Sequence, residues 1–333
     1  GNRSVSGGGV FGDTNSLLLQ CELTHNQATN AGGGIYMLPG KAVERCRVYE
    51  NTAREGGGIA AWNTMIGACD LRGNTALQMG GGLYAGDHTG LRSSRFIENS
   101  AGEGGGLYGI MGTSWNCLWM GNRATNQGGA VFFQVTGTVY NALLADNQAP
   151  VAPTGWQTDF HYCCSTSALP GVSNIVADPG WLNPAQANHR LSANSPCVGR
   201  GLHAQELEST RDFYGRTRII GSSIDIGPAE WSPAINDYDG DGASDLAVFD
   251  PLTGNWFIHS LKTGAVLAWA SNWGFSGCRP VPGSFLRDNP AAMGVYDPPS
   301  GNWYLRTYSA PVQGLAIQWG FAGCIPVPGD YNA

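Results

Sequence analysis

The chain has 333 residues and 50 glycines, only 13% charged residues and a formal net charge of −7. The glycines lack collagen's every-third spacing, no apolar run approaches the ~18 residues of a membrane helix, and the acidic balance without a basic block argues against nucleic acid as partner. A hydrophobic share of 42% with 11 tryptophans supplies a buried core, which disordered low-complexity chains lack.

From the N-terminus the glycines keep a beat. Triplets begin at Gly7, Gly32, Gly56, Gly80 and Gly104, and a Gly-Gly-Ala version begins at Gly128. Asn-x-Ala recurs in phase at Asn26, Asn51, Asn74, Asn99, Asn122 and Asn147. Five residues before each asparagine stand Cys21, Cys46, Cys69, Ser94, Cys117 and Ala142, and two residues after these an apolar Leu23, Val48, Leu71, Phe96, Trp119 or Leu144. A period of about 24 residues is too short for helical repeats and lacks the leucine-rich pattern. The short alternating segments predict strands, and Gly and Asn suit the left-handed corners between them. The expected fold is all-β: a right-handed parallel β-helix of six or more coils over residues 1–177.

Stacking coils turns each repeated position into a ladder. Cysteine and the apolar residue two further on point inward, the thiols packing as small hydrophobes. Stacked asparagines pair amide to amide at an internal corner. Glu22, Arg47, Asp70 and Arg95 form an outward row of alternating charge that supports the register. The residue after each glycine-aliphatic unit is Phe11, Tyr36, Ala60, Tyr84, Tyr108 or Phe132. The five rings Phe11, Tyr36, Tyr84, Tyr108 and Phe132 form a candidate ligand-binding row, against the alternative that they are covered or packed inside.

Residues 178–231 carry Asp178-Pro-Gly-Trp-Leu-Asn-Pro-Ala, Arg190-Leu-Ser-Ala-Asn-Ser-Pro-Cys197, Asp212-Phe-Tyr-Gly-Arg216 and Asp225-Ile-Gly-Pro-Ala-Glu230. Together with the Asn-x-Ala…Gly-Gly-Gly units, this segment resembles the polymorphic outer-membrane protein and choice-of-anchor β-helix repeats of bacterial surface proteins. The resemblance implies a secreted or surface-anchored, adhesin-like chain. Physically, the segment is expected to cap the solenoid, because an open end exposes an unpaired rung.

Beyond Trp231 the beat lengthens. Asp250-Pro-Leu-Thr-Gly-Asn-Trp-Phe-Ile258 recurs as Asp297-Pro-Pro-Ser-Gly-Asn-Trp-Tyr-Leu305, and Trp273-Gly-Phe-Ser-Gly-Cys as Trp319-Gly-Phe-Ala-Gly-Cys. Residues 232–333 are therefore two repeats of about 47 residues, each a set of short strands. The first opens with Asp237, Asp239, Asp241 and Asp245 around Gly242, with the Ala243 carbonyl at the seventh position. That oxygen-rich spacing suits one structural Ca2+, yet Val248 stands where an EF-hand has glutamate. The loop resembles the calcium loop of FG-GAP and VCBS-type repeats. The aligned Ser284, Leu286, Asp288 and Ala292 predict that the second site is lost.

Cys163, Cys164, Cys197, Cys278 and Cys324 allow extracellular disulfides of open connectivity. The six histidines are scattered, with no nucleophile partner and no catalytic motif. The expected function is an extracellular, non-enzymatic structural or adhesive protein of the bacterial surface. Its partners would be other copies of itself or surface glycans and proteins. Both ends fall mid-repeat, as expected of a piece trimmed from a longer surface protein or of a subunit that joins head to tail into a filament. The alternative is a β-helix polysaccharide lyase or hydrolase, or a carbohydrate-binding module.

Overall fold

Each coil turns three corners, and at each corner one residue is left-handed. The first glycine of every triplet takes a φ between 57° and 68°. The residue before each ladder asparagine does the same (His25, Glu50, Gly73, Glu98, Gly121, Asp146), as does the residue before each cysteine position (Gln20, Arg45, Ala68, Ser93, Asn116, Asn141). The ladder asparagines therefore follow a corner and do not occupy it. Most of the left-handed positions are not glycine, at about 1 kcal/mol or more each. The second and third glycines answer a different need. A Cβ on Gly57 would lie 2.4 Å from the Thr75 carbonyl oxygen and 2.6 Å from that of Gly81, so the stacked backbones leave room for hydrogen only.

In this computed structural model the described residues are 1–183, 188–192, 194–207, 210–215, 218–219, 223–231, 236–239, 244–281, 283, 291–307 and 314–326. They contain no α-helix, only a 3-10 turn at Gln205–Leu207. The strands between corners stack in parallel into about seven coils. One ladder has six strands, from Arg3–Ser6 to Arg123–Gln127. A second has eight, from Glu22–Thr24 to Ile175–Val176. The third is a 13-stranded sheet joined through the ten-residue strand Val131–Tyr140, which runs straight where earlier coils break in two. Registers pair like with like: Leu71 faces Val48 and Phe96, and Ile59 faces Ile35 and Leu83.

The asparagine spacing alternates between 25 and 23 residues, while the glycine triplets after Gly32 keep 24. The strands between the two landmarks absorb the difference. Gln27–Ala31, Thr75–Met79 and Arg123–Gln127 have five residues, whereas Thr52–Glu55 and Ser100–Glu103 have four. Each junction carries a register shift. This ladder faces outward at its irregular positions, so a bulge there disturbs no core side chain.

The interior is a single column. Ile35, Ile59, Leu71, Leu83, Phe96, Trp119, Val131 and Leu144 are all at most 2% exposed. Cys46, Cys69, Cys117 and Cys163 join them as free thiols, donating to carbonyls such as Val43 O at 3.3 Å from Cys69. Burial pushes the Cys117 and Cys163 thiols up to about 12, so both remain neutral packing groups.

The chain divides into two compact units. One comprises 1–181 with 195–230, and the other 182–194 with 231–333. In the first, the segment expected to cap the end makes its described contacts along a flank. Ser93 Oγ donates to Arg211 O, Asn116 Nδ2 to Asp225 O, and Asn141 exchanges two bonds with Leu202. Buried Arg218 fastens this strap, reaching Glu230 Oε1 at 2.7 Å, Ser93 Oγ at 2.9 Å and the Gly227 and Pro228 carbonyls. In the second unit, Leu246–Asp250, Asn255–His259 and Val266–Asn272 form an antiparallel sheet. Arg279–Pro280, Ala292–Asp297, Asn302–Thr307 and Gly314–Gln318 form another.

Candidate functional site

Three features of the solenoid unit carry chemistry beyond packing. The first is the corner column of asparagines. The Oδ1 of each asparagine from Asn51 through Asn147 accepts both the backbone N–H and the Nδ2 of the asparagine one coil before it, at 2.9–3.1 Å. Each Nδ2 from Asn51 on also donates to a carbonyl on the preceding coil, such as Val48 O from Asn74 at 2.7 Å. Asn51, Asn74, Asn99 and Asn122 are fully buried and satisfied, so the column acts as a polar spine.

The second feature is the aromatic row. Phe11, Tyr36, Tyr84, Tyr108 and Phe132 stack up one face, with Trp62 filling the rung left by Ala60 and Trp156 extending the column. Centroids from Phe11 to Phe132 lie 4.9–5.5 Å apart. Tyr84, Tyr108 and Phe132 are within 11° of parallel. Most ring faces are thus occupied by neighbouring rings, and Tyr108 and Phe132 are only 6% exposed, against 56% for Phe11. A sugar ring stacks on an aromatic face, and along this column what remains is chiefly edges. Sequence reading missed Trp62 because it sits two residues past the expected position; strand parity returns i+2 to the same face. Gly86 makes the space, since a Cβ there would lie 1.9 Å from Trp62 Cδ1.

The third is a groove of about 520 Å3 between the strap and the early coils. The outward charge row continues from an exposed Glu22–Arg47 pair at 3.6 Å to Asp70 and Arg95, which are buried beneath the strap. Asp70 accepts from Arg95 Nη2 at 2.7 Å, from Arg72 Nε at 2.9 Å and from the Tyr49 hydroxyl at 2.8 Å. The Arg95 guanidinium lies 3.9 Å from the Phe213 ring centroid, and its buried Nε has no hydrogen-bond partner. Burial alone would raise the Asp70 carboxyl; Arg95 and Arg72 outweigh it and hold the group below its ordinary value. Burial beside Asp70 pushes Tyr49 up to about 12. An acid held ionised and a phenol held protonated form no acid–base pair near neutrality. Arg45, Arg47, Arg72 and Arg95 against Asp70 and the Glu22 paired with Arg47 instead make the groove cationic, on a chain whose net charge is −7.

In the second unit, Asp237, Asp239 and Asp245 bring carboxylate oxygens within 4.8 Å of one another, and Asp237 and Asp245 are buried. The Tyr238 N–H donates to Asp245 at 2.7 Å and orients it. Two charges at that separation repel by roughly 3 kcal/mol at an effective dielectric near 20, which a divalent cation among oxygen donors relieves. Asp241, Ala243, Ser284, Leu286 and Asp288 lie outside the described residues; Ala292 is buried in a strand. All nine cysteines carry free thiols, and Cys164 Sγ donates to the Ala177 carbonyl at 3.5 Å.

The fold and these features define a parallel β-solenoid with an appended pair of antiparallel β-modules. No family model, no curated protein and no solved structure matches the chain.

Proposed function

We propose that the chain is a secreted bacterial surface protein, non-enzymatic and structural or adhesive, whose C-terminal acidic loop holds one structural Ca2+. The observation that carries this reading is the unbroken asparagine spine, which ties successive coils into one stiff element. The resemblance of the repeats to bacterial surface proteins supports the location, and the clustered Asp237, Asp239 and Asp245 support the cation. The test is labelling of intact producing cells with antibody to the solenoid, with and without a chelator. Surface labelling is the expected result; protein confined to the cytoplasm would refute the proposal.

The cationic groove favours a second reading, a binding site for an anionic glycan. Retardation in gels containing polyuronate, relieved by Arg47→Ala and absent with neutral glucan, would support it. Release of unsaturated or reducing sugar ends would move the chain to the lyase or hydrolase class.

A further inference from the structure

The outward row that begins as Glu22, Arg47, Asp70 and Arg95 continues in register as Leu118, Leu143 and Cys164. These last three face away from the core column, yet they are 0%, 1% and 0% exposed. The strap covers them. A Cβ on Gly227 would lie 2.5 Å from Leu143 Cδ1, and the Gly227 N–H donates to Asn141 O at 2.8 Å. Cys163 points the other way, into the solenoid, as strand alternation requires. Its thiol accepts the Ala142 N–H and donates to Val139 O, each at 3.4 Å.

The strap brings its own cysteine to the same place. Cys197 is fully buried, and two routes lead from it to Cys164. Its carbonyl accepts the Ile226 N–H at 3.1 Å, and the adjoining Gly227 packs on Leu143, the register neighbour of Cys164. Its N–H donates to Ser195 Oγ at 3.1 Å. That hydroxyl donates to Pro179 O, two residues past the Ala177 carbonyl that accepts from Cys164 Sγ. The thiols feel each other: Cys197 holds Cys164 below its ordinary value, and Cys164 together with burial raises Cys197. The remaining cysteines are placed differently. Cys21, Cys46 and Cys69 stand side by side on rungs about 4.8 Å apart, wider than the ~3.5–4.5 Å between the Cβ atoms of a disulfide. Cys117 and Cys163 have Ser94 and Ala142 on the rungs before them, and Cys278 and Cys324 belong to the second unit.

We propose that Cys164 and Cys197 are a disulfide-forming pair whose bond staples the strap to the solenoid flank. The oxidant is another disulfide, such as glutathione disulfide. The Cys164 thiolate attacks one of its sulfurs, breaking that S–S bond and releasing one thiol. The Cys197 thiolate then attacks Cys164 Sγ in the mixed disulfide and releases the second thiol. Two cysteine protons pass to the two released thiols, and one S–S bond replaces another. Both cysteines are buried once the strap is docked, so the exchange belongs to docking and the finished bond is shielded from reductant. The strap also carries Phe213 and Tyr214, which wall the cationic groove, so the bond fixes that wall in place. The inference rests on the extracellular reading above only for its oxidising surroundings.

The test is refolding of the full reduced chain in a glutathione redox buffer, then alkylation in denaturant, proteolysis and peptide mass spectrometry. A Cys164–Cys197 linked peptide is expected, with Cys46, Cys69, Cys117 and Cys163 recovered as alkylated thiols. Reductant should then lower the solenoid's melting temperature by roughly 5–15 °C. Cys197→Ser should lose both the linked peptide and the reductant-dependent shift, and should melt close to the reduced wild type. The wild-type comparison with and without reductant needs no variant, so it decides the matter even where Cys197→Ser folds poorly. Recovery of Cys164 and Cys197 as alkylated thiols, their linkage to other cysteines, or a wild-type melting temperature indifferent to reductant overturns the proposal. These readouts use purified protein, so they fail separately from cell-surface labelling.

Discussion

Asn74 shows how much one side chain contributes in a stacked fold. It accepts the amide and the Nδ2 of Asn51 and donates to Val48 O and Asn99. Asn74→Ala removes those acceptors from fully buried donors and leaves a small cavity. The expected loss is about 3–5 kcal/mol, read from denaturant unfolding against an exposed control such as Thr125→Ala. Asp70 offers a second test at this scale. Its folded pKa lies below the ordinary carboxylate value, so its ion pairs contribute stability that is present above pH about 4 and lost as pH falls through the folded value. Wild type should therefore lose thermal stability more steeply than Asp70→Asn between about pH 4 and pH 2. Equal slopes would remove Asp70 from the account of the strap's attachment.

At the scale of strands, the coils tolerate irregularity on one face only. Adding one residue after Arg54 lengthens Thr52–Glu55 from four residues to five, the length both neighbours already have. A loss of about 1 kcal/mol or less is expected. Adding one between Asp70 and Leu71 turns Leu71 out and Arg72 in; it forfeits about 1.5–3 kcal/mol of burial for Leu71 alone and buries a charge. Melting temperatures of the two insertions should differ by well over ten degrees. The same contrast explains what could be read in advance. Inward positions recur because every coil imposes the same requirement, so Leu23 through Leu144 announced the ladders. The corner residues His25, Glu50, Arg45 and Ala68 share nothing but a backbone angle, and no side-chain pattern reports it. The strap's place on the flank was hidden for a related reason: its partners Ser93, Asn116 and Asn141 lie on three coils and look like ordinary turn residues. The charge row was visible, but its burial depended on Phe213, more than a hundred residues away.

At the scale of the whole chain, two units with separate cores should unfold as separate events. Calcium sharpens this into a test, because the clustered Asp237, Asp239 and Asp245 belong to the second unit alone. A ligand that binds only the folded state stabilises it by about 2.7 kcal/mol at a hundredfold excess over its dissociation constant. For a module of about a hundred residues that amounts to roughly 10–20 °C. Calorimetry should show two transitions, with calcium raising one and leaving the solenoid's in place. Asp245→Asn should abolish the calcium-dependent shift and leave the solenoid transition unchanged. A shift that survives Asp245→Asn, or one that appears in the solenoid transition, places the cation elsewhere. No shift at millimolar calcium means that the three carboxylates share their pocket without a metal.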